Sequence, residues 1–238
     1  MIFGAVLAGG FGTRMHISSM PKQFLPLDDK PIIIHTIEKM LTCSKFDAVF
    51  VGINPTWASY MNDLLDNYDL SEENIKVVIG GENRNDTIFN IIAGIEEEYG
   101  ENDENIIVTH DAVRPFVTLR IIEDNIEAAL KYGACDTVVP ATDTIVVSHK
   151  NDIISDIPNR IYMYQGQTPQ SFNIKKLKEL YARLSDSQKL VLTDACNIFV
   201  MNNEEVKLVQ GEVSNIKITT VNDYNIAQYL ATGGAESD

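Results

Sequence analysis

Short apolar runs alternate with amphipathic stretches along most of this 238-residue chain. The runs have the length of buried strands, and the stretches between them repeat apolar residues every three or four positions, as helices packed on one side do. Strands are predicted over residues 2–7, 48–53, 75–79, 106–109, 136–140, 206–209 and 216–219, and helices over 32–41, from 55, over 86–97, 121–130, 174–184, 193–201 and from 222. This alternation predicts an α/β fold with one doubly wound, mainly parallel sheet.

Residues 142–164 break this rhythm. They lack helical periodicity and carry apolar residues in short bursts, such as Thr144-Ile145-Val146-Val147 and Ile153-Ile154. We interpret residues 141–166, approximately, as a β-arm that projects from a single domain spanning residues 1–238. An apolar arm without a core of its own needs a surface to pack on, and a second subunit is the natural candidate.

The first predicted strand runs directly into a glycine-rich loop that contains Gly9, Gly10 and Gly12, with Arg14 and Lys22 after them. Glycines let backbone N–H groups approach an anion closely, and the two cations offset its charge. The loop lacks the Gly-Lys-Ser/Thr of a Walker motif and the third glycine of a dinucleotide fingerprint. We therefore interpret it as a phosphate loop of another type, although a plain glycine turn between strand and helix is the alternative.

Composition narrows the choice of ligand. The chain has 45% apolar residues, enough for a large buried core, and a net charge of −15. This charge argues against binding to nucleic acid or to an anionic membrane, so a small anionic substrate would have to meet a local cluster of cations. No basic leader precedes the first strand and no apolar window of about 18 residues occurs, which predicts a cytosolic protein.

The three cysteines, Cys43, Cys135 and Cys196, are odd in number and far apart in the sequence. Their spacing indicates neither a disulfide framework nor a zinc site. We expect all three to be core residues.

The opening pattern resembles that of the nucleotidyltransferases that activate sugars and polyols, and Pro21-Lys22-Gln23-Phe24 resembles their cytidylyltransferase family. The resemblance extends over nearly the whole chain. It implies a Rossmann-like nucleotidyltransferase fold, CTP and a polyol phosphate as substrates, a divalent cation (Mg²⁺) as cofactor, and a homodimer built through the arm. It also implies nucleotide contacts from the first loop, namely Leu7, Ala8, Gly9, Gly10, Gly12 and Thr13.

A second polar loop, Gly80 to Thr87, follows the third predicted strand and opens a helix. Ligands of open α/β sheets bind beyond the carboxyl ends of the strands, which is where this loop lies. The resemblance implies that it holds the cytidine, and the predicted contacts are Gly81, Glu82, Asn83, Arg84, Asn85, Asp86 and Thr87, together with Ala112. The alternative is simple helix capping by Asn83 or Asn85.

The segment from His110 to Pro115 ends the fourth strand with a carboxylate, Asp111. Protein-bound Mg²⁺ commonly takes one or two carboxylates together with substrate phosphates and water. The family carries the same H-D-A-x-R-P segment, so Asp111 is the predicted metal ligand, with a turn-forming aspartate as the alternative. We expect Arg114 to be structural and paired with an acidic neighbour, and His110 to be a packing residue.

The remaining candidates lie in the second half of the chain. The segment from Tyr164 to Phe172 reads as a polar wall that is atypical of a core strand, and Arg160 precedes it. In the resembling enzymes this arginine positions the acceptor phosphate from the partner's arm, and Gln167 and Thr168 line the acceptor site; a surface arginine is the alternative. Lys217, between two isoleucines on a predicted strand, faces either solvent or an anion, and the family's N-I-K-x-T pattern assigns it to the phosphates and the acceptor. The predicted catalytic cations are therefore Arg14, Lys22, Arg160 and Lys217.

The acceptor is predicted from finer resemblance. Met163-Tyr164-Gln165-Gly166-Gln167 and the valine of His110-Asp111-Ala112-Val113-Arg114-Pro115 resemble the enzymes that act on ribitol 5-phosphate. That resemblance implies CDP-ribitol as product, use in teichoic-acid or capsule polymers, and a functional link to a reductase that forms ribitol 5-phosphate. One alternative is the methylerythritol-phosphate enzymes of isoprenoid synthesis, which more often have Leu-Trp before the Gln-Thr-Pro-Gln segment, where this chain has Met163-Tyr164, and a second alanine in place of that valine. The other alternative is a non-catalytic nucleotide-binding module.

Overall fold

A seven-stranded sheet forms the centre of the computed structural model, which describes residues 1–10, 20–150 and 152–233. Its strands are β1 (Ile2–Ala8), β4 (Ala48–Ile53), β5 (Ile75–Ile79), β6 (Ile106–Asp111), β7 (Ala134–Pro140), β8 (Tyr164–Asn173) and β9 (Lys207–Gln210). Two short strands, β2 (Pro26–Leu27) and β3 (Lys30–Pro31), form a separate hairpin. The order across the sheet is β5-β4-β1-β6-β8-β7-β9.

All strands of the large sheet are parallel except β8, which runs antiparallel to both of its neighbours. The chain leaves β1 for β4 on one side and later returns to β6 on the other side. This reversal of strand order next to β1 opens a crevice at the carboxyl ends of the strands. The predicted doubly wound, mainly parallel α/β sheet is confirmed.

Helices cover both faces of this sheet. They are α1 (Ile32–Leu41), α2 (Ala58–Asn67), α3 (Arg84–Tyr99), α4 (Leu119–Tyr132), α5 (Ile174–Arg183), α6 (Asp186–Leu190), α7 (Cys196–Met201) and α8 (Val221–Ala231). One apolar cluster joins α1, α2 and α4 to the sheet, and a second joins α3, α5 and α7 to its opposite face. A third, smaller cluster places the β2–β3 hairpin and α8 beside the residues that follow β6.

Strand β8 is the first departure from the sequence-based expectation. The segment read as a polar wall outside the core is a central strand, and Gln167–Phe172 are buried within it. Its polar side chains are tolerated there because they have internal partners; Gln170, for example, donates to Asp136 and Asp194. The pairing with β7 is irregular between Asp136 and Val138, opposite the part of β8 that contains Pro169, and such irregularities accommodate proline in a sheet.

Two further expectations are corrected in the last third of the chain. Residues 216–219 form no strand; they belong to a loop that runs over the end of the sheet, and Ile218 is buried in the third apolar cluster. The helix predicted over 193–201 begins only at Cys196, and a separate short helix, α6, precedes it. The alternation of Ile216, Lys217 and Ile218 therefore reflects the burial of Ile218 in a loop and not a strand.

The segment predicted as an arm, residues 141–166, carries one isolated bridge, between Val147 and Asp156, and a 3₁₀ turn at Arg160–Tyr162 before β8 begins at Tyr164. Its apolar side chains are largely solvent-exposed, with Ile161 at 71% and Tyr162 at 74%. The single domain and the projecting arm remain predictions, and the exposed apolar surface is consistent with an arm that packs on another subunit.

All three cysteines are buried and free, in agreement with their predicted core positions. Burial raises the pKa of the Cys135 thiol to about 12, so this thiol stays protonated at neutral pH. Within the described part of the chain, no helix combines the length and the apolar character needed to cross a membrane.

Gly52 sets the distance between β4 and α3, and therefore the position of the loop before α3. A Cβ added at Gly52 would lie 2.5 Å from Thr87 Cγ2 and 2.9 Å from Ile91 Cδ1. We expect Gly52→Ala to destabilise the protein by about 1–3 kcal/mol, since overpacking forces the helix away from the sheet. Urea unfolding would measure this loss.

Gly166→Ala is the matched control in the same sheet, because the nearest atom to its added Cβ, Asp136 Oδ2, is at 3.6 Å. An equal loss of stability in both variants would contradict the close approach at Gly52.

Candidate active site

A cavity of about 470 Å³ lies at the reversal of strand order, where β1 and β6 end. Two loops bound it, the one after β1 and the one between β5 and α3. The residues that line it are Leu7, Ala8, Gly9, Gly10, Lys22, Gln23, Gly81, Glu82, Asn83, Arg84, Thr87, Asp111, Ala112, Val113 and Lys217. The structure thus brings together most of the predicted nucleotide-binding residues with Lys22, Asp111 and Lys217.

The first loop is described only in part. Gly12, Thr13 and Arg14 lie outside the described residues, while Gly9 and Gly10 line the cavity. Lys22 donates from Nζ to the carbonyl oxygen of Ile218 at 2.9 Å, which joins the two loops that carry the predicted cations.

Gln23 also lines the cavity, and its side-chain amide donates to the carbonyl oxygen of Ala8 at 3.0 Å. No role was predicted for Gln23 from the sequence. Its position directly after Lys22 in the Pro21-Lys22-Gln23-Phe24 motif was the available signal.

The loop between β5 and α3 combines capping with cavity lining. Asn83 is the N-cap of α3, and its side chain accepts from the backbone N–H of Asp86 at 3.0 Å. Thr87 Oγ1 accepts from the N–H of Gly81 at 3.0 Å, which folds the loop back on the helix. The capping interpretation therefore describes Asn83 correctly, yet Asn83 also faces the cavity. Asn85, two residues after Asn83, is buried, and neither Asn85 nor Asp86 lines the cavity.

Three cations surround the carboxylate of Asp111 at the end of β6. Lys217 Nζ lies 2.8 Å from Oδ2, Arg114 Nε lies 3.6 Å from the same oxygen, and Arg84 Nε lies 3.6 Å from Oδ1. Burial alone would raise the pKa of Asp111, but Arg84, Lys217 and Arg114 together hold it well below its ordinary value. Asp111 is thus ionised at neutral pH, and the cluster around it carries an excess of positive charge.

Arg114 and His110 support this cluster from behind. Arg114 is paired with an acidic neighbour, Asp111, as predicted. It also donates to the carbonyl oxygen of Asn215 at 2.7 Å, which ties its side chain to the loop before α8. His110 is fully buried between the carbonyl oxygen of Arg114, at 3.0 Å, and the hydroxyl of Thr168, at 2.9 Å. Burial lowers the pKa of His110 to about 4, so the imidazole is neutral at physiological pH.

Of the four predicted acceptor residues, Lys217 lines this cavity, and Gln167, Thr168 and Arg160 do not. Gln167 and Thr168 are buried in β8; Gln167 donates to the carbonyl oxygen of Glu212 at 2.8 Å, and Thr168 accepts from the N–H of Asp111 at 3.1 Å. Arg160 is exposed on the predicted arm, where it donates to the carbonyl oxygen of Thr142 at 2.7 Å. The three residues therefore lie outside the cavity of their own chain.

A divalent cation would find one protein ligand here. No group of three or more His, Cys, Asp or Glu side chains is placed to hold a metal within the ranges that the structure covers. Asp111 is ionised and faces the cavity, and a single carboxylate suffices for Mg²⁺ when substrate phosphates and water complete its coordination. The donor set thus fits a metal that arrives with a triphosphate.

Asp136 and Asp194 form a second pair of carboxylates, and the charge of Arg84 acts on Asp136. The amide of Gln170 donates to Asp136 Oδ1 at 2.9 Å and to Asp194 Oδ2 at 2.8 Å, which places two carboxylates on one donor group. Burial raises the pKa of Asp136 to about 6, and the charge of Asp194 adds to the effect of burial.

The sheet order, the crevice beside β1 and the cationic cavity define the class of protein, an α/β nucleotidyltransferase. A family model described as IspD: 2-C-methyl-D-erythritol 4-phosphate cytidylyltransferase matches residues 2–232. The chain belongs to this family and is a CTP-dependent cytidylyltransferase.

Solved structures agree with this assignment. The chain is similar to 4-diphosphocytidyl-2C-methyl-D-erythritol synthase from Anaerococcus prevotii, with a TM-score of 0.81 and 27% identity over 97% of this chain and 96% of that one. It is also similar to the 2-C-methyl-D-erythritol 4-phosphate cytidylyltransferase of Francisella tularensis, with a TM-score of 0.78 and 28% identity over 96% and 98% of the two chains. The Thermus thermophilus enzyme, at 22% identity and a TM-score of 0.75 over 98% and 100%, shares the fold.

The raised pKa of Asp136 predicts a pH-dependent loss of stability. Its pKa of about 6 lies above the unfolded value of 3.8, so the folded state binds the proton more tightly and loses stability as pH rises from about 4 to about 6. Asp136→Asn removes this titration and keeps an oxygen acceptor for Gln170. Relative to the unmodified protein, we expect the variant to gain about 2 kcal/mol above pH 6 and almost nothing near pH 4.

Urea unfolding of both proteins at pH 4.5, 6 and 8, as approximate set points spanning this interval, would measure the difference. A difference that is constant across the series would show that Asp136 does not titrate in this range.

Proposed function

We propose that this enzyme transfers the cytidylyl group of CTP to the phosphate of a small polyol phosphate and releases pyrophosphate. The observation that carries the proposal is the cation cluster around Asp111, which faces a cavity bounded by the glycine-rich loop and the Gly81–Thr87 loop. The excess positive charge suits the phosphates of CTP, and the second loop offers backbone and small polar groups to the base and ribose.

The reaction requires positioning and charge stabilisation, and no covalent intermediate. An oxygen of the acceptor phosphate attacks the α-phosphorus of CTP in line, the bond between that phosphorus and the bridging oxygen breaks, and pyrophosphate leaves with the electron pair. The attacking phosphate is already an anion at neutral pH, so no general base is needed, and the buried neutral His110 takes no part in proton transfer.

Each cation has a distinct role in this scheme. Arg14 and Lys22 stabilise the charge that develops on the α-phosphoryl oxygens and the leaving group, while Lys217 and Arg160 orient the incoming phosphate. Asp111 would hold Mg²⁺, which when bound neutralises phosphate charge. Loss of one such donor costs about 3–4 kcal/mol, or about 100- to 1000-fold in turnover.

Two acceptors are candidates. The comparisons support 2-C-methyl-D-erythritol 4-phosphate better, because the family model and the structures at 27% and 28% identity carry that name. Ribitol 5-phosphate is favoured by residues of this chain, since Val113, which lines the cavity, and Tyr164 depart from the more frequent methylerythritol-phosphate pattern. With ribitol 5-phosphate the product would be CDP-ribitol, for teichoic-acid or capsule polymers, and a reductase would supply the substrate.

Pyrophosphate release measured with both acceptors in parallel tests the proposal. We expect release that requires CTP, Mg²⁺ and one of the two polyol phosphates, and that falls strongly when UTP or GTP replaces CTP. Release with ribitol 5-phosphate alone would support the motif-based assignment, and release with the methylerythritol phosphate alone would assign the protein to isoprenoid synthesis. CTP binding without release with either acceptor would contradict the proposal in favour of a nucleotide-binding module.

We further propose that the enzyme is a homodimer in which Arg160 serves the partner's site. Arg160 lies outside the cavity of its own chain, on a segment whose Ile153, Ile154 and Ile157 are more than half exposed. An apolar surface of this kind is costly in water unless a second subunit covers it. Arm exchange would cover the surface and bring a cation to the acceptor phosphate at once.

Subunit complementation tests this exchange. Arg160→Ala and Lys22→Ala are each expected to be nearly inactive alone, because each site then lacks one phosphate-binding cation. In a mixed dimer, the site with an intact Lys22 would receive Arg160 from the other chain. Random mixing should therefore restore about a quarter of the unmodified activity, since half of the dimers are mixed and each has one complete site.

Refolding or co-expression of the two variants, followed by the pyrophosphate assay, gives the measurement. Chromatography with light scattering checks that the mixture is dimeric. A dimeric mixture without recovery would show that Arg160 acts in its own chain, and near-normal activity of Arg160→Ala alone would show that it takes no part.

A further inference from the structure

Lys217 depends on a loop without regular secondary structure. The loop runs from Gly211 to Thr220 between β9 and α8, and Lys217 reaches Asp111 from it. The carbonyl oxygen of the next residue, Ile218, accepts from Lys22, so two of the predicted phosphate-binding cations rely on the same few residues. A loop without regular structure does not orient a lysine by itself. The contacts that hold this loop in place therefore determine the positions of the charges of Lys22 and Lys217.

The side chain of Asn215 is a buried polar anchor of this loop. Asn215 is fully buried and does not line the cavity. Its amide Nδ2 donates to the carbonyl oxygen of Thr168 at 2.8 Å and to Gln167 Oε1 at 3.2 Å. Both acceptors belong to the central strand β8, so the amide fastens the loop to the sheet.

The backbone of Asn215 joins the same residue to the charge cluster. Its carbonyl oxygen accepts from Arg114, whose Nε lies 3.6 Å from Asp111. Thr168 completes the connection, because its hydroxyl accepts from the N–H of Asp111 at 3.1 Å while its carbonyl accepts from Asn215. Asn215 therefore links the loop that carries Lys217 to both groups that hold Asp111 in place.

We propose that Asn215 is a positioning residue for Lys217, an inference that rests on the proposed transfer reaction. Asn215 touches no substrate; it holds the loop so that Lys217 stays within 2.8 Å of Asp111 and faces the phosphates. Misplacement of a reacting partner by about 1 Å can cost about 100-fold in rate. Loss of the Asn215 side-chain amide is therefore expected to lower turnover by displacing Lys217.

A double-mutant cycle with Asn215→Ala and Lys217→Ala tests the coupling. Turnover by Asn215→Ala should fall by about 100-fold. In the Lys217→Ala background the same change should cost no more than about twofold, since the residue that Asn215 positions is already absent. An equal fold-loss in both backgrounds, or turnover by Asn215→Ala within about twofold of the unmodified enzyme, would overturn the proposal.

Asn202→Ala is the matched control. The amide of Asn202 also donates to two oxygens, the carbonyls of Leu180 at 3.2 Å and Ile198 at 2.7 Å, and Asn202 does not line the cavity. Its loss removes the same number of hydrogen bonds, so a comparable fall in melting temperature with turnover within about twofold of the unmodified enzyme is expected. If Asn215→Ala does not fold, Asn215→Ser, which keeps one donor, takes its place in the cycle.

Lysine acetylation gives a readout that does not require turnover. Limited labelling with acetic anhydride, followed by peptide mass spectrometry, reports how far Lys217 is held in its ion pair with Asp111. We expect labelling of Lys217 to rise in Asn215→Ala and to stay unchanged in Asn202→Ala. An unmodified enzyme that releases no pyrophosphate would refute the proposed function alone, whereas unchanged labelling in Asn215→Ala would refute the positioning role alone.

Discussion

The ionised carboxylate of Asp111 is the constraint around which the cavity is organised. A buried lone carboxylate is unfavourable by several kcal/mol unless cations and hydrogen bonds compensate it. The compensating groups come from three separate parts of the chain: Arg84 at the start of α3, Arg114 after β6, and Lys217 in the loop before α8. The fold has to bring these parts to one strand end, and their shared attraction to Asp111 in turn fixes the loops that bound the cavity.

This cluster also explains how a strongly acidic protein can bind an anionic substrate. The chain as a whole carries a charge of −15, yet Lys22, Arg84 and Lys217 line a cavity in which Asp111 and Glu82 are the only carboxylates among the lining residues that the structure describes. The two terminal nitrogens of Arg84 are buried and have no hydrogen-bond partner among the residues described. Unpaired buried donors are unfavourable in a resting protein, and such local costs tend to occur where a site is built for a ligand.

The sequence predicted features that depend on neighbouring residues better than features that depend on distant ones. The helix over 32–41 and the strands over 48–53 and 75–79 were predicted to the residue, because apolar periodicity is a local signal. Strand β8 was misread because the amide nitrogen of Gln170 and the hydroxyl of Thr168 have hydrogen-bond partners, Asp136, Asp194 and His110, that only the folded chain brings close. In the same way Lys217 was predicted as a phosphate-binding residue from its motif, and its ion pair with Asp111 and the loop that carries it were not predicted, because residues 216–219 were predicted as a strand.

The placement of the candidate residues divides the site into two halves with different origins. Most of the described groups proposed to bind the nucleotide line one cavity within a single chain, together with Lys217, whereas Arg160 lies outside it and Gln167 and Thr168 are engaged inside the sheet. If the acceptor half is completed by the arm of a second subunit, the choice of polyol phosphate depends on residues that the nucleotide half does not constrain. The nucleotide could then stay the same across the family while the acceptor changes, which is why membership in the family assigns CTP more firmly than it assigns the polyol.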